Sequence, residues 1–150
     1  YISIYLFMNL AFFSCIFMLR RDDKYFENIE DLSGLSKNHP LLSFSFLIVL
    51  FSLAGIPPLA GFFAKFYIFS AVIEESMYFL AIVGLLSTVI AAFYYLRLIK
   101  IIYFDTARDK YENNHNIGLK LSLLLSSIFI LFYFIYPSWL TEIIEKINII

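Results

Sequence analysis

The sequence predicts an all-α membrane protein that crosses the membrane four times, with a broken helix as its second crossing. Three observations lead to this fold class. Hydrophobic residues make up 61% of the 150 residues, with a mean hydropathy of +0.82, whereas a soluble domain averages about 45–50% apolar residues. These residues form four long segments, and the second contains Gly-Ile-Pro-Pro, Gly55 to Pro58. Most basic residues lie in just two of the intervening loops.

The lengths of the apolar segments set the predicted boundaries. A helix needs about 20 residues to cross the hydrocarbon core. We therefore predict a single membrane domain over residues 1–150, with crossings at about 1–19, 41–74, 78–104 and 119–140. Apolar and charged residues share separate faces near the end of the chain, which predicts an interfacial helix over about 138–150. An ordinary surface helix fits that pattern equally well.

The second apolar segment, Pro40 to Ile73, is too long for one straight crossing. A continuous helix would measure about 51 Å against about 30 Å of hydrocarbon. Two crossings would divide the basic residues outside the membrane five to five, whereas one interrupted crossing places nine of the chain's eleven on one side. Those nine are Arg20, Arg21, Lys24, Lys37, Arg97, Lys100, Arg108, Lys110 and Lys120. Because basic loops concentrate on the cytoplasmic or matrix side, a single interrupted crossing is predicted.

The interruption itself is dictated by two prolines. Proline has no amide hydrogen, so Pro57 and Pro58 leave the carbonyls of Leu53 and Ala54 without helical donors. Such carbonyls are costly in lipid, and the break must therefore face protein or a water-filled cavity. Broken helices of this kind mark ion sites in many transporters.

Lys65 is the leading candidate for a functional residue. It is the only charged residue between Leu41 and Ile73, and a charge at mid-bilayer costs about 3 kcal/mol on insertion scales. It follows Pro58 by two helical turns, and Gly61, one turn before it, leaves room for water or a partner side chain. We interpret Lys65 as a proton carrier. The alternative is a structural lysine paired with a carboxylate, which must lie elsewhere because the predicted crossings contain no interior Asp or Glu.

Two further basic residues, Arg97 and Lys100, lie within two turns of the end of the third crossing. We favour the interpretation that they reach toward the basic side of the membrane, with neighbouring tyrosines as interfacial anchors. A role in proton exit is the alternative for both.

Several chemistries are excluded by composition. The single Cys15 allows no intrachain disulfide, four-cysteine zinc site or iron–sulfur site. The sequence has no glycine-rich dinucleotide or phosphate-binding motif, and its net charge of −1 includes no basic face for nucleic acid. Redox chemistry is therefore expected on other chains, with no cofactor or metal on this one.

Three motifs in order carry a resemblance: IEDLSGLSKNHP from Ile29, SLAGIPPLAGFFAKFYIF from Ser52 and AAFYYLRLIKIIYF from Ala91. The chain resembles the antiporter-like subunits of respiratory complex I, the proton-pumping NADH:ubiquinone oxidoreductase. The run Gly-Phe-Phe-Ala-Lys-Phe favours the C-terminal part of the subunit 2 type, called subunit N in bacteria. Subunits of multisubunit cation/proton antiporters and of membrane-bound hydrogenases are alternatives, as is a purely structural membrane subunit.

The resemblance implies a proton-translocating role without a redox site on this chain. Lys65 would correspond to the lysine of the second half-channel, and Gly55, Pro57, Pro58 and Gly61 would open a hydrated path. The cofactors NADH, flavin, iron–sulfur clusters and quinone would lie on other subunits. The expected location is the mitochondrial inner membrane, or alternatively the bacterial cytoplasmic membrane, with the basic loops on the matrix or cytoplasmic side.

The resemblance also implies partners. Neighbouring antiporter-like and small membrane-arm subunits, and lipid, would surround the chain, which begins inside an apolar segment at Tyr1. The family's N-terminal repeat would be supplied by a separate chain if the subunit is split in two.

Overall fold

The computed structural model describes residues 1–21, 24–25, 28–107, 112–113, 116–133 and 135. Six α-helices account for most of them. The helices are α1 (Ile2–Met18), α2 (Leu35–Asn38), α3 (Pro40–Ala54), α4 (Ala60–Glu74), α5 (Tyr78–Phe104) and α6 (Ile117–Phe132). A 3-10 turn spans Ile29–Leu32, and the short strands are β1 (Leu19–Arg21), β2 (Lys24–Tyr25) and β3 (Glu112–Asn113).

Helix α3 lies at the centre of the bundle and contacts α1, α5 and α6. Apart from three serines its side chains are apolar on every face, which is typical of a helix with neighbours on most faces, and Phe46, Val49 and Leu50 are almost completely buried. Helices α1 and α6 pack side by side against it. There the rings of Phe7 and Phe129 stack at 4.2 Å between centroids.

Helix α5 is the most exposed of the long helices. Among the described residues it is the one helix long and apolar enough to cross a membrane by itself, while α1, α3 and α6 are shorter apolar helices. Phe79 is 83% exposed, and Val89 and Phe93 are also largely exposed. An apolar surface of this extent needs lipid or other protein against it.

The two basic loops meet at one end of the bundle. Strand β1, which follows α1, pairs antiparallel with β2 and with β3 from the loop between α5 and α6. The amide of Gly34 also donates to the carbonyl of Ile101 at 3.0 Å. Gly34 has φ +64°, and a side chain there would overlap the backbone of Ala107. The two loops are therefore joined by backbone contacts at this end of the bundle.

Some sequence predictions fall outside the described residues. They are the interfacial helix over 138–150 and the part of the fourth crossing after residue 135. The number of crossings stays a prediction.

Candidate functional site at the helix break

The break between α3 and α4 begins with a left-handed residue. Gly55 has φ +85° and ψ +34°, a conformation that costs little only for glycine. Its amide donates to the carbonyls of Phe51 and Ser52 at 3.1 and 3.0 Å, and the amide of Ile56 also donates to Phe51 at 3.0 Å. This pattern resembles the glycine-terminated ends of many helices, and it satisfies two of the last carbonyls of α3.

The next two carbonyls of α3 are bound by a side chain. In a continuous helix they would accept from residues 57 and 58, but Pro57 and Pro58 have no amide hydrogen. The Nζ atom of Lys65 instead donates to Leu53 at 2.9 Å and to Ala54 at 3.1 Å. The lysine of α4 thus supplies the donors that the prolines withhold from α3.

Gly55 also makes room for the lysine. A Cβ atom at Gly55 would lie 3.0 Å from Cδ of Lys65 and 3.3 Å from its Nζ, closer than most carbon contacts. The half-buried lysine side chain therefore passes directly over the glycine on its way to the end of α3.

A second hydrogen bond crosses the break in the opposite direction. The hydroxyl of Ser52, on α3, accepts from the amide of Gly61 at 3.0 Å and donates to the sulfur of Met8 at 3.1 Å. Gly61 is the second residue of α4, where amides have no acceptor within their own helix. Each half-helix therefore caps the other: Lys65 binds the end of α3, and Ser52 binds the start of α4.

Gly61 is a point of close contact between helices. A Cβ atom there would overlap the carbonyl group of Ser52 and lie 3.0 Å from the sulfur of Met8. The missing side chain lets α4 approach both α3 and α1. Pro57 and Pro58, by contrast, are exposed at the surface of this chain. A hydrated path along these residues stays a prediction.

Arg97 and Lys100 are not brought to the break. Both are exposed on α5, and Lys100, with 64% of its side chain exposed, pairs with Asp105 at 2.6 Å. Within the described part of the chain no hydrogen bond or ion pair joins either residue to Lys65. Their role in proton exit stays a prediction.

Sequence reasoning missed Ser52 and Met8. It identified the two carbonyls without donors but sought a carboxylate as the partner of Lys65, and did not consider those carbonyls as acceptors. The first turn of α4 equally needs an acceptor, and Ser52 is the nearest polar side chain before the break. An amide that needs an acceptor and a serine hydroxyl just before the break were therefore both recognisable in the sequence.

A sequence model described as NADH:quinone oxidoreductase/Mrp antiporter, transmembrane, matches residues 1–91. The match covers more than half of the chain and includes the break, Ser52 and Lys65. The chain belongs to this family. An integral membrane location follows from that membership, and the mainly helical architecture, with three short strands in the loops, agrees with it.

The curated relatives indicate which type of subunit within this family the chain resembles. The chain is 72% identical over its full length to NADH-quinone oxidoreductase subunit N of Pelagibacter ubique and covers 32% of that protein. It is 48% identical over 92% of its length to subunit N of Parvibaculum lavamentivorans, covering 29% of it. The chain thus spans about a third of these relatives and corresponds to their C-terminal part. The resemblance stated from the motifs is confirmed.

A solved structure shows the same fold. It is titled respiratory complex I from Thermus thermophilus with bound Aureothin, and one of its chains superposes with a TM-score of 0.69 at 22% identity. The match covers 88% of this chain and 32% of that one. At 22% identity, this similarity shows a shared arrangement of helices only.

Proposed function

We propose that this chain is the C-terminal part of an antiporter-like, proton-translocating membrane-arm subunit of NADH:ubiquinone oxidoreductase, and that Lys65 transfers protons at the helix break. The observation that carries the proposal is the placement of the Lys65 amine on the carbonyls of Leu53 and Ala54. The similarity to subunit N along the whole chain supports the choice of complex.

In the proposed topology α3 and α4 together form one interrupted crossing. The joined loops support this, because β1 and β3 place the loop before α3 at the same end as the loop after α5. Helix α4 then ends at the opposite side, at the turn containing Glu75. The chain would cross four times, with α1, α5 and α6 as the other crossings.

The hydrogen bonds of Lys65 allow a proton to leave without opening the break. A protonated lysine has three N–H donors, and two carbonyls accept from it here. Loss of the third proton gives a neutral amine that keeps two donors and gains a lone pair to receive the next proton. The charge of Lys65 can therefore change while Leu53 and Ala54 stay bonded.

The partners and cofactors of the proposed function lie on other chains. NADH, flavin, iron–sulfur clusters and quinone are assigned to other subunits of the complex. The carboxylate that exchanges protons with Lys65 is assigned to a separate chain or to the N-terminal part of the subunit. Within the described ranges no group of three His, Cys, Asp or Glu side chains is placed to hold a metal. The bacterial relatives favour the bacterial cytoplasmic membrane over the mitochondrial inner membrane.

The test has two stages, both in native membranes. Gently solubilised membranes are separated on a native gel stained for NADH oxidation, and mass spectrometry locates this chain. Its presence in the NADH-oxidising band is expected. A smaller band without that activity, and with sodium/proton exchange, would favour the cation/proton antiporter alternative.

The second stage is Lys65→Met in the intact complex. We expect an assembled complex that oxidises NADH with an artificial acceptor but translocates far fewer protons per electron pair. Normal proton translocation would reject the role of Lys65. Loss of assembly with normal translocation by the remaining complex would instead support the purely structural alternative.

A further inference from the structure

We propose that Ser52 is a positioning residue for Lys65: its hydroxyl fixes the start of α4 against the end of α3 and so sets the reach of the lysine amine. The inference deepens the proposed function and rests on the role of Lys65 given there.

The hydroxyl of Ser52 both accepts and donates a hydrogen bond. The side chain is completely buried, and its oxygen accepts from the amide of Gly61 while its hydrogen is directed to the sulfur of Met8. Residues of three helices, α1, α3 and α4, therefore meet at one oxygen atom. A buried group of this kind holds its neighbours in place because each lost bond leaves an unsatisfied partner.

The start of α4 is capped by a residue of another helix. Helix α6 is capped by its own preceding residue, since the side chain of Asn116 accepts from the amide of Gly118 at 2.9 Å. The residue before α4 is Leu59, whose side chain forms no capping hydrogen bond. The acceptor for α4 comes instead from Ser52 across the break, so capping the helix also fixes its position relative to α3.

Lys65 follows Gly61 by one helical turn and lies on the same face of α4. A shift of the first turn of α4 is therefore passed directly to the lysine. The longer of its two bonds, to Ala54, measures 3.1 Å, and a displacement of about half an ångström would carry it beyond hydrogen-bonding distance. The carbonyl would then be left without a donor and the amine in a new position.

The same helix offers a matched control. Ser43, also on α3, is completely buried like Ser52, but its hydroxyl has no hydrogen-bond partner among the described residues. Ser43→Ala and Ser52→Ala therefore remove the same atom from the same helix at the same burial. They differ in whether that atom bonds to α4.

The experiment compares Ser52→Ala, Ser52→Thr, Ser52→Cys and Ser43→Ala in the intact complex. Assembly is measured on native gels, NADH oxidation with an artificial acceptor, and the initial rate of NADH-driven proton translocation per assembled complex in closed vesicles. We expect Ser52→Ala to assemble and to lower this rate about fivefold, which is the effect on a rate constant of losing one hydrogen bond. Threonine, which keeps the hydroxyl, should restore most of it, cysteine less, and Ser43→Ala should match the wild type.

A double variant separates positioning from a general structural role. If Ser52 acts through Lys65, Ser52→Ala added to Lys65→Met should cause no further loss of translocation, because the two effects belong to one interaction. Additive losses would overturn the inference. So would normal translocation by Ser52→Ala, or a loss no greater than the loss of assembled complex. If alanine prevents assembly, the cysteine variant decides by the same criteria.

The outcome also distinguishes this inference from the proposed function. A deficient Lys65→Met beside a normal Ser52→Ala rejects only the positioning role. Normal translocation by Lys65→Met rejects the proton-transfer role itself.

Discussion

The Nζ atom of Lys65 lies 2.9 Å from the carbonyl oxygen of Leu53, a residue that precedes it by twelve positions across the helix break. The proposed proton carrier is therefore also a structural cap. A variant that removes the amine removes both roles at once, so separating them needs a side chain that keeps donors and charge but does not release a proton.

Lys65→Arg makes that separation. Arginine keeps a positive charge and several N–H donors, yet it stays protonated in proteins. We expect the complex to assemble as well as the wild type while proton translocation falls at least as far as in Lys65→Met. Measurement of translocation per electron pair checks this. An arginine variant that pumps normally would leave the lysine only its capping role.

Gly55→Ala should affect both the backbone and the lysine. At φ +85° a side chain costs about 1 kcal/mol, and the added Cβ would lie 3.0 Å from Cδ of Lys65. We expect a lower melting temperature of the purified complex and reduced translocation. Gly55→Asn is the control, because asparagine tolerates the left-handed conformation but carries the same Cβ.

With the asparagine variant, translocation should remain low while stability partly recovers. Recovery of both would assign the defect to backbone conformation, and the contact with Lys65 would carry no function.

Gly61→Ala should be more damaging than Gly84→Ala. The new Cβ at Gly61 would overlap the carbonyl group of Ser52, and a backbone group inside the bundle has little freedom to move. At Gly84 it would lie 2.8 Å from the ring edge of Phe69, which can rotate away. Native gels should show reduced assembly for the first variant and near-normal assembly for the second. Equal assembly would contradict the close contact between α3 and α4.

Ser14→Ala should have a small effect that stays local. The hydroxyls of Ser14 and Ser122 lie 3.1 Å apart and join α1 to α6, and hydrogen bonds between membrane helices average about 0.6 kcal/mol. We expect a slight fall in thermal stability with normal translocation, and Ser14→Ala with Ser122→Ala should cost no more than one change alone. A strong loss of translocation would place a proton path along this helix pair.

Arg97→Gln and Lys100→Gln test the proton-exit alternative. In the pair formed by Lys100 and Asp105 the lysine side chain is 64% exposed and the aspartate side chain 32%, and ion pairs at a surface contribute about 0–1 kcal/mol. We expect each variant to keep translocation within about twofold of the wild type, consistent with interfacial anchoring. A severe defect in either variant, with normal assembly, would instead support proton exit along α5.

Much of the fold was accessible from the sequence because it follows from local rules. The apolar runs predict the helices. The two consecutive prolines, Pro57 and Pro58, predict that α3 ends shortly before them. The need of Leu53 and Ala54 for donors was equally readable. That Lys65 supplies these donors could not be predicted, because it depends on how far α4 turns back toward α3, which the sequence does not specify.

The sequence offered a signal for Ser52 but did not decide its role, for a related reason. One serine in an apolar helix fits a packing face, a helix cap or a water contact equally well, and only the position of Gly61 decides among them. Contacts between segments on either side of a break are set by backbone geometry, and side-chain type alone carries little information about them.

The hydrogen bonds of Lys65 also imply that residues 57, 58 and 65 evolve together. Pro57 and Pro58 remove two amide donors and the lysine supplies two. The prolines are therefore tolerated chiefly when the lysine is present. A lineage that lost the lysine would gain by recovering an amide-bearing residue at 57 or 58. Among relatives of the subunit N type we expect these positions to vary together, and a sequence alignment would reveal that dependence without any measurement of transport.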